Sequence, residues 1–223
     1  MPTAAKARAT TVDAVIDAIT EGVKDGRYAP GQRLVEADLT RELGVSRGPL
    51  REALGRLAAE GIIEIEPYRG AIVRRLTRED LEDLFQVREV LEGEAARLAA
   101  GHIDEADNRR RLDAAMRKAD ALRRRGDVAS YIDENTRFHD LIVEMSGSRL
   151  LGRLIPQLQV HAFRLLFRQL LMDQAAMEQS ITEHEAVAEA ILAGDARAAD
   201  KAMRRHVRRS REQALRAGAR YLG

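Results

Sequence analysis

The chain has 223 residues, 45% of them apolar, 33% charged and only 4% aromatic, so it suits two modest helical cores and not a sandwich or barrel. Its formal net charge of +1 excludes a global field that would draw a polyanion, which leaves local clusters of cations as the only route to nucleic acid. The lack of cysteine excludes disulfides, thiolate catalysis and zinc–thiolate sites, so any metal must be held by His, Asp, Glu or Asn.

Residues 1–9 are a polar tail, expected to be disordered. Val12, Val15, Ile16, Ile19 and Val23 then recur at helical spacing until Gly26, and Pro30-Gly31 marks a turn. A short second helix ends at Gly44, and a third opens after Ser46 as N-cap and closes at Gly61. "IIEIEPYRGAIVRRL" alternates in strand fashion about Pro67-Tyr68-Arg69-Gly70, which predicts a small hairpin. Three helices and a hairpin in that order are a winged helix-turn-helix, expected over residues 10–76.

The third helix buries Leu50, Ala53, Leu54 and Leu57 on one side and turns its cations outward. A helix entering the major groove meets base edges and phosphates with its first turns. The DNA-facing set is therefore Ser46, Arg47, Gly48 and Arg51, with Arg56 further along for the backbone and Arg69 and Gly70 at the hairpin tip. On an isolated helix the plainer account would be solvated arginines or local pairs, Arg56 with Glu60 and Arg51 with Glu52. The trihelical order with a wing reverses that preference, and Arg74 and Arg75 then anchor the base of the wing.

From Thr77, a cap with Asp80 three residues on, the pattern is helical throughout. Helices are expected near 78–100, 104–125, 128–146, 149–171, 174–193 and 196–217, with Pro156 kinking the fourth, followed by a short tail over 218–223. His184 and His206 lie at similar distances on either side of the Gly194-Asp195 turn, so in an antiparallel hairpin they share one level, about 15–18 Å from the turn. His184 is in register with Met177, Ile181, Val187 and Ile191, and His206 with Ala199, Met203 and Ser210. Asn135 and His139, four apart, share a face with Ile132 and Ile142. Three inward imidazoles and a side-chain carbonyl suit a divalent transition ion such as Zn, Ni or Mn. His102, at a helix end, reads as a capping or solvent residue, and His161 as a packing residue.

"YAPGQRLVEADLTRELGVSRGPLREALGRLAAEGIIEIEPYRGAIV" resembles the DNA-binding domain of the GntR family of bacterial transcription regulators. The resemblance implies a dimer on a palindromic operator, with Ser46, Arg47, Arg51, Arg69 and Gly70 touching DNA. Some relatives carry a further arginine in the second helix, where this sequence reads Glu36-Ala37-Asp38. Residues 78–217 resemble the FCD-type effector and dimerisation domain of the FadR-like branch, through "DLFQVREVLEGEAARLAA", "FHDLIVEMSGS" and "EHEAVAEAILAGDARAADKAMRRH". In metal-binding members an Asp stands where this chain has Asn135, which keeps an oxygen but brings no charge. The resemblance implies a small organic acid as effector, its carboxylate on the metal, and Arg88 and Arg164 are candidate partners for that carboxylate.

The expectation is a mainly α protein, a winged head followed by a bundle of six to seven helices, acting as a ligand-responsive repressor. With no run of about 18 apolar residues, it is expected in the cytoplasm and away from membranes. The rival from another class, a metal-dependent hydrolase on the His cluster, lacks a poised carboxylate base and a signature such as H-E-x-x-H.

Overall fold

The computed structural model describes residues 11–75, 77–158 and 173–218. The chain divides into two compact units, with the boundary in sequence between residues 76 and 77. The first contains α1 (Thr11–Lys24), β1 (Arg33–Leu34), α2 (Glu36–Leu43), α3 (Arg47–Ala59), β2 (Ile63–Glu66) and β3 (Gly70–Val73). Val15, Ile19, Leu39, Leu50, Ala53, Leu57 and Ile63 form its core, so α3 is held by the apolar side seen in its sequence.

The hairpin is antiparallel, with Ile63 opposite Val73 and Glu66 opposite Gly70. A third strand, β1, pairs Arg33 with Ile72 and gives the order β1-β3-β2, where the sequence predicts a hairpin alone. Two residues are too few to show a period of two, which is why this strand leaves no sequence signal. At the Pro30-Gly31 turn the Gly31 N–H donates to Val73 O at 2.7 Å, and Arg75 donates from Nε to Pro30 O at 3.3 Å, fastening the base of the wing as expected.

The second unit contains α4 (Arg78–Gly101), α5 (Asn108–Arg125), α6 (Val128–Met145), α7 (Leu151–Leu158), α8 (Gln174–Leu192) and α9 (Ala196–Gly218). Thr77 opens α4 with a reciprocal capping box: its hydroxyl accepts from Asp80 N at 3.1 Å and its own N–H donates to Asp80 Oδ2 at 3.0 Å. α5 starts four residues later than its periodicity predicts. The Asn108 side chain instead donates to His102 O at 2.8 Å, joining the turns after α4 to the start of α5. His102 is the C-cap of α4, as its position predicts. α9 packs along α4, and Gly93 on α4 lies so close that a Cβ there would meet Arg204 Cγ at 2.7 Å. Pro156 lies inside α7, and the rest of that expected helix, including His161 and Arg164, is outside the described residues.

Candidate functional site

Ser46, Arg47 and Gly48 are exposed at the start of α3. Ser46 has the extended backbone of an N-cap, but its hydroxyl makes no capping bond. Of the two N–H groups a capping oxygen can take, those of the second and third helical residues, one is missing, because the third is Pro49. Arg47 has no carboxylate partner among the described residues, whereas Arg51, 65% exposed, reaches Glu36 on α2 at 3.0 Å. The local pairs of the plainer account, Arg51 with Glu52 and Arg56 with Glu60, are not the ones formed. Arg56 bonds Glu52 at 2.7 Å and Asp13 at 3.3 Å, while Glu60 is the C-cap beyond the last residue of α3. At the wing, Arg69 pairs with Glu66 at 2.7 Å, and Gly70 takes φ 78°, a left-handed value that glycine accepts without strain.

In the second unit, α6, α8 and α9 bring His139, His184 and His206 together, all buried, with one ligand atom from each within 4.8 Å of the others. His206 Nε2 is 3.3 Å from His184 Nε2 and 3.2 Å from His139 Nε2. The Phe138 ring stacks on His184 at a centroid distance of 4.0 Å and fixes its plane.

Each imidazole is oriented from behind. Glu92 Oε2 lies 2.6 Å from His139 Nδ1, and Glu183 Oε2 lies 2.9 Å from His206 Nδ1. Glu92 is itself bonded by Arg88 Nε at 2.7 Å, and Glu183 by Arg209 and Gln179 at 2.9 and 2.7 Å. Burial pushes the Glu92 carboxyl up, but Arg88 and His139 overrule it and hold it well below the usual carboxylate range. Glu183 is lowered too, the bonds from His206, Gln179 and Arg209 outweighing its burial. Burial and the neighbouring rings press His184 well below the ordinary imidazole value, and burial lowers His206 despite Glu183.

His184 is served by a different chain. Ser180 Oγ lies 3.4 Å from Asn135 Oδ1 and 2.9 Å from Tyr131 OH, which is 3.4 Å from His184 Nδ1. An amide oxygen only accepts, so the direction follows: Ser180 donates to Asn135, Tyr131 to Ser180 and His184 Nδ1–H to Tyr131. All three rings then carry their proton on Nδ1 and turn an Nε2 lone pair inward. Converging lone pairs in a buried interior repel one another and suit a cation. Spacings of 3.2 and 3.3 Å also match the edge of about 3.3 Å in a tetrahedron with metal–nitrogen bonds of about 2.0–2.1 Å. The residues present therefore fit a transition metal.

The sequence brought Asn135 and the three histidines to one place, and the structure sets Asn135 on the Ser180–Tyr131 chain beside His184. The sequence reading does not single out Glu92, Glu183, Tyr131 or Ser180, although helical spacing of four joins Arg88 to Glu92, Tyr131 to Asn135 and Ser180 to His184.

The FCD domain family model matches residues 83–209, and the model for bacterial regulatory proteins of the gntR family matches residues 11–73. The chain is 29% identical over 202 residues to the probable D-xylose utilization operon transcriptional repressor of Paenarthrobacter nicotinovorans, spanning 90% of this chain and 87% of that protein. It is 27% identical over 180 residues to the HTH-type transcriptional repressor RspR of Escherichia coli K12, spanning 80% and 78%. A solved putative GntR transcriptional regulator from Rhodococcus sp. RHA1 superposes with TM-score 0.72 at 25% identity, covering 92% of this chain and 98% of that one. E. coli McbR/YncC shares the fold at TM-score 0.68 and 22% identity, over 90% and 95% of the two chains.

Proposed function

Because this chain belongs to the gntR family of bacterial regulatory proteins and carries an FCD domain, we propose that it is a repressor gripping a palindromic operator as a homodimer under the control of a small carboxylate. That it is a transcription regulator and not an enzyme follows from the family and its relatives, which sets the hydrolase alternative aside. Residues 10–76 serve as the reading head and 77–217 as the effector and dimerisation domain.

The observation that carries the DNA reading is the start of α3. Ser46, Arg47 and Arg51 are exposed there, while Leu50, Ala53 and Leu57 anchor the same helix from behind. Arg47 and Arg51 take base edges and phosphates, Gly48 and the idle Ser46 hydroxyl let a phosphate approach, and Arg56, Arg69 and Gly70 follow the backbone and wing contacts. Two heads related by a two-fold axis would read two half-sites. The test is titration of a labelled duplex, selected from a random pool by the native protein, over a range of salt. Replacing Arg47 and Arg51 together by alanine is expected to abolish binding, and undiminished binding would remove the assignment.

In the helical domain, His139, His184 and His206, with Asn135 beside them, would hold a divalent transition metal. A bound ion supplies Lewis acidity and an open position for a carboxylate oxygen. Glu92, Glu183 and Tyr131 hold the three rings in the ligating tautomer, and Arg88, adjoining Glu92, marks the side from which an organic acid is received. Elemental analysis of the purified protein is expected to find a stoichiometric transition metal, and a thermal-shift panel of small carboxylates should reveal the effector class. No helix of the described residues is long and apolar enough to cross a membrane, which accords with a cytoplasmic, DNA-associated protein.

A further inference from the structure

Local structure at the wing tip disagrees with the residue placed there. Arg69 N donates to Glu66 O at 3.2 Å, closing a turn with Pro67 and Tyr68 as its central residues. Pro67 in the first central position and φ 64° at Tyr68 give the turn type II character. That second position calls for glycine or asparagine, because a side chain on a left-handed residue crowds its own backbone. This chain puts an aromatic ring there. The ring is fully exposed, at 104%, and among the described residues it makes no hydrogen bond or ring contact. The fold therefore gains nothing from it and bears the strained backbone regardless, a combination that points to a partner outside the chain.

The surroundings identify the partner's chemistry. Ile65 on β2 is 59% exposed, and Arg69 follows Tyr68 directly with a side chain 68% exposed. A narrow apolar projection beside an arginine is the pairing with which proteins enter the DNA minor groove, the cation drawn by its negative potential and the apolar group lying against sugars or a base step. A groove about 6 Å wide admits a hairpin tip but no helix, so it is also the groove that α3 leaves open. We infer that Tyr68 is a minor-groove contact beside Arg69, and that the type II turn exists to present its ring. The inference rests on the operator-binding reading and adds to it a residue that sets affinity through the wing.

Two variants of the full chain test it on the duplex selected by the native protein. Tyr68→Gly suits the turn better, so it is expected to be no less heat-stable than the native chain and to bind about tenfold more weakly, with its preferred major-groove sequence unchanged. Tyr68→Trp introduces the only tryptophan in the chain, and its indole emission should shift as duplex is added. Native affinity in Tyr68→Gly overturns the inference. So does an indole emission in Tyr68→Trp that is unmoved at saturating duplex, or one that shifts with protein concentration alone, the mark of a contact between copies. Failure of the native protein to select any duplex would instead defeat the parent reading, and the Arg47 and Arg51 variant detects that separately.

Discussion

The Glu36 carboxylate grips Arg51 by one edge, with Nε at 3.0 and 3.2 Å from its two oxygens. A guanidinium held in this way has its plane chosen in advance, and its terminal nitrogens, which Glu36 does not take, are left for the guanine contact proposed for Arg51. Glu36→Gln should therefore lower the preference for the selected duplex over a scrambled one by about tenfold, the range expected for one well-placed bidentate pair. Its melting temperature should hardly move, since exposed pairs contribute only about 0–1 kcal/mol. Ser180 offers a second test at this scale. Ser180→Ala cuts the chain that ends at Asn135 and releases His184 to the wrong tautomer, so metal affinity, measured by chelator competition, should fall about 10–100-fold. The cations of α3 and the three histidines were legible because each sits in a run of helical period. Their partners were not: Glu36 faces Arg51 across two helices, and Glu92 and Glu183 meet their histidines only after α4, α6, α8 and α9 have packed.

Among elements, helix starts are legible where side-chain chemistry closes locally and hidden where a distant group intervenes. Thr77 and Asp80 announced α4, and Thr77→Ala should cost about 1 kcal/mol, seen as a lower melting temperature. α5 starts later than its periodicity predicts because Asn108 answers to His102, and β1 leaves no sequence signal because its pairing is with the distant β3. The packing of α9 on α4 has no linear signature, yet it hinges on Gly93, whose missing side chain lets Arg204 and Asp200 approach. Gly93→Val should force that helix pair apart and destabilise the domain by about 1–3 kcal/mol, measured by denaturant unfolding. Gly93→Ala should fall between the native chain and Gly93→Val.

At the scale of the whole molecule, the chain carries two cores with separate duties, and a ligand of one should leave its mark on that one. A transition metal at about 100 times its dissociation constant adds about 2.7 kcal/mol to the state that binds it. Calorimetry should show the transition of the helical unit moving up while that of the winged head stays in place; a shift confined to the head would place the metal elsewhere. If the winged head reads DNA as proposed, it arrives with Arg56 and Arg69 each already bonded to an acid of its own unit. An arbitrary stretch of duplex offers these side chains only phosphates in exchange for carboxylates they already hold, so little is gained by stopping there. On that reading the internal acids would act as a sieve during the search, shortening each visit to a wrong address and leaving long residence to sequences whose bases complete the exchange.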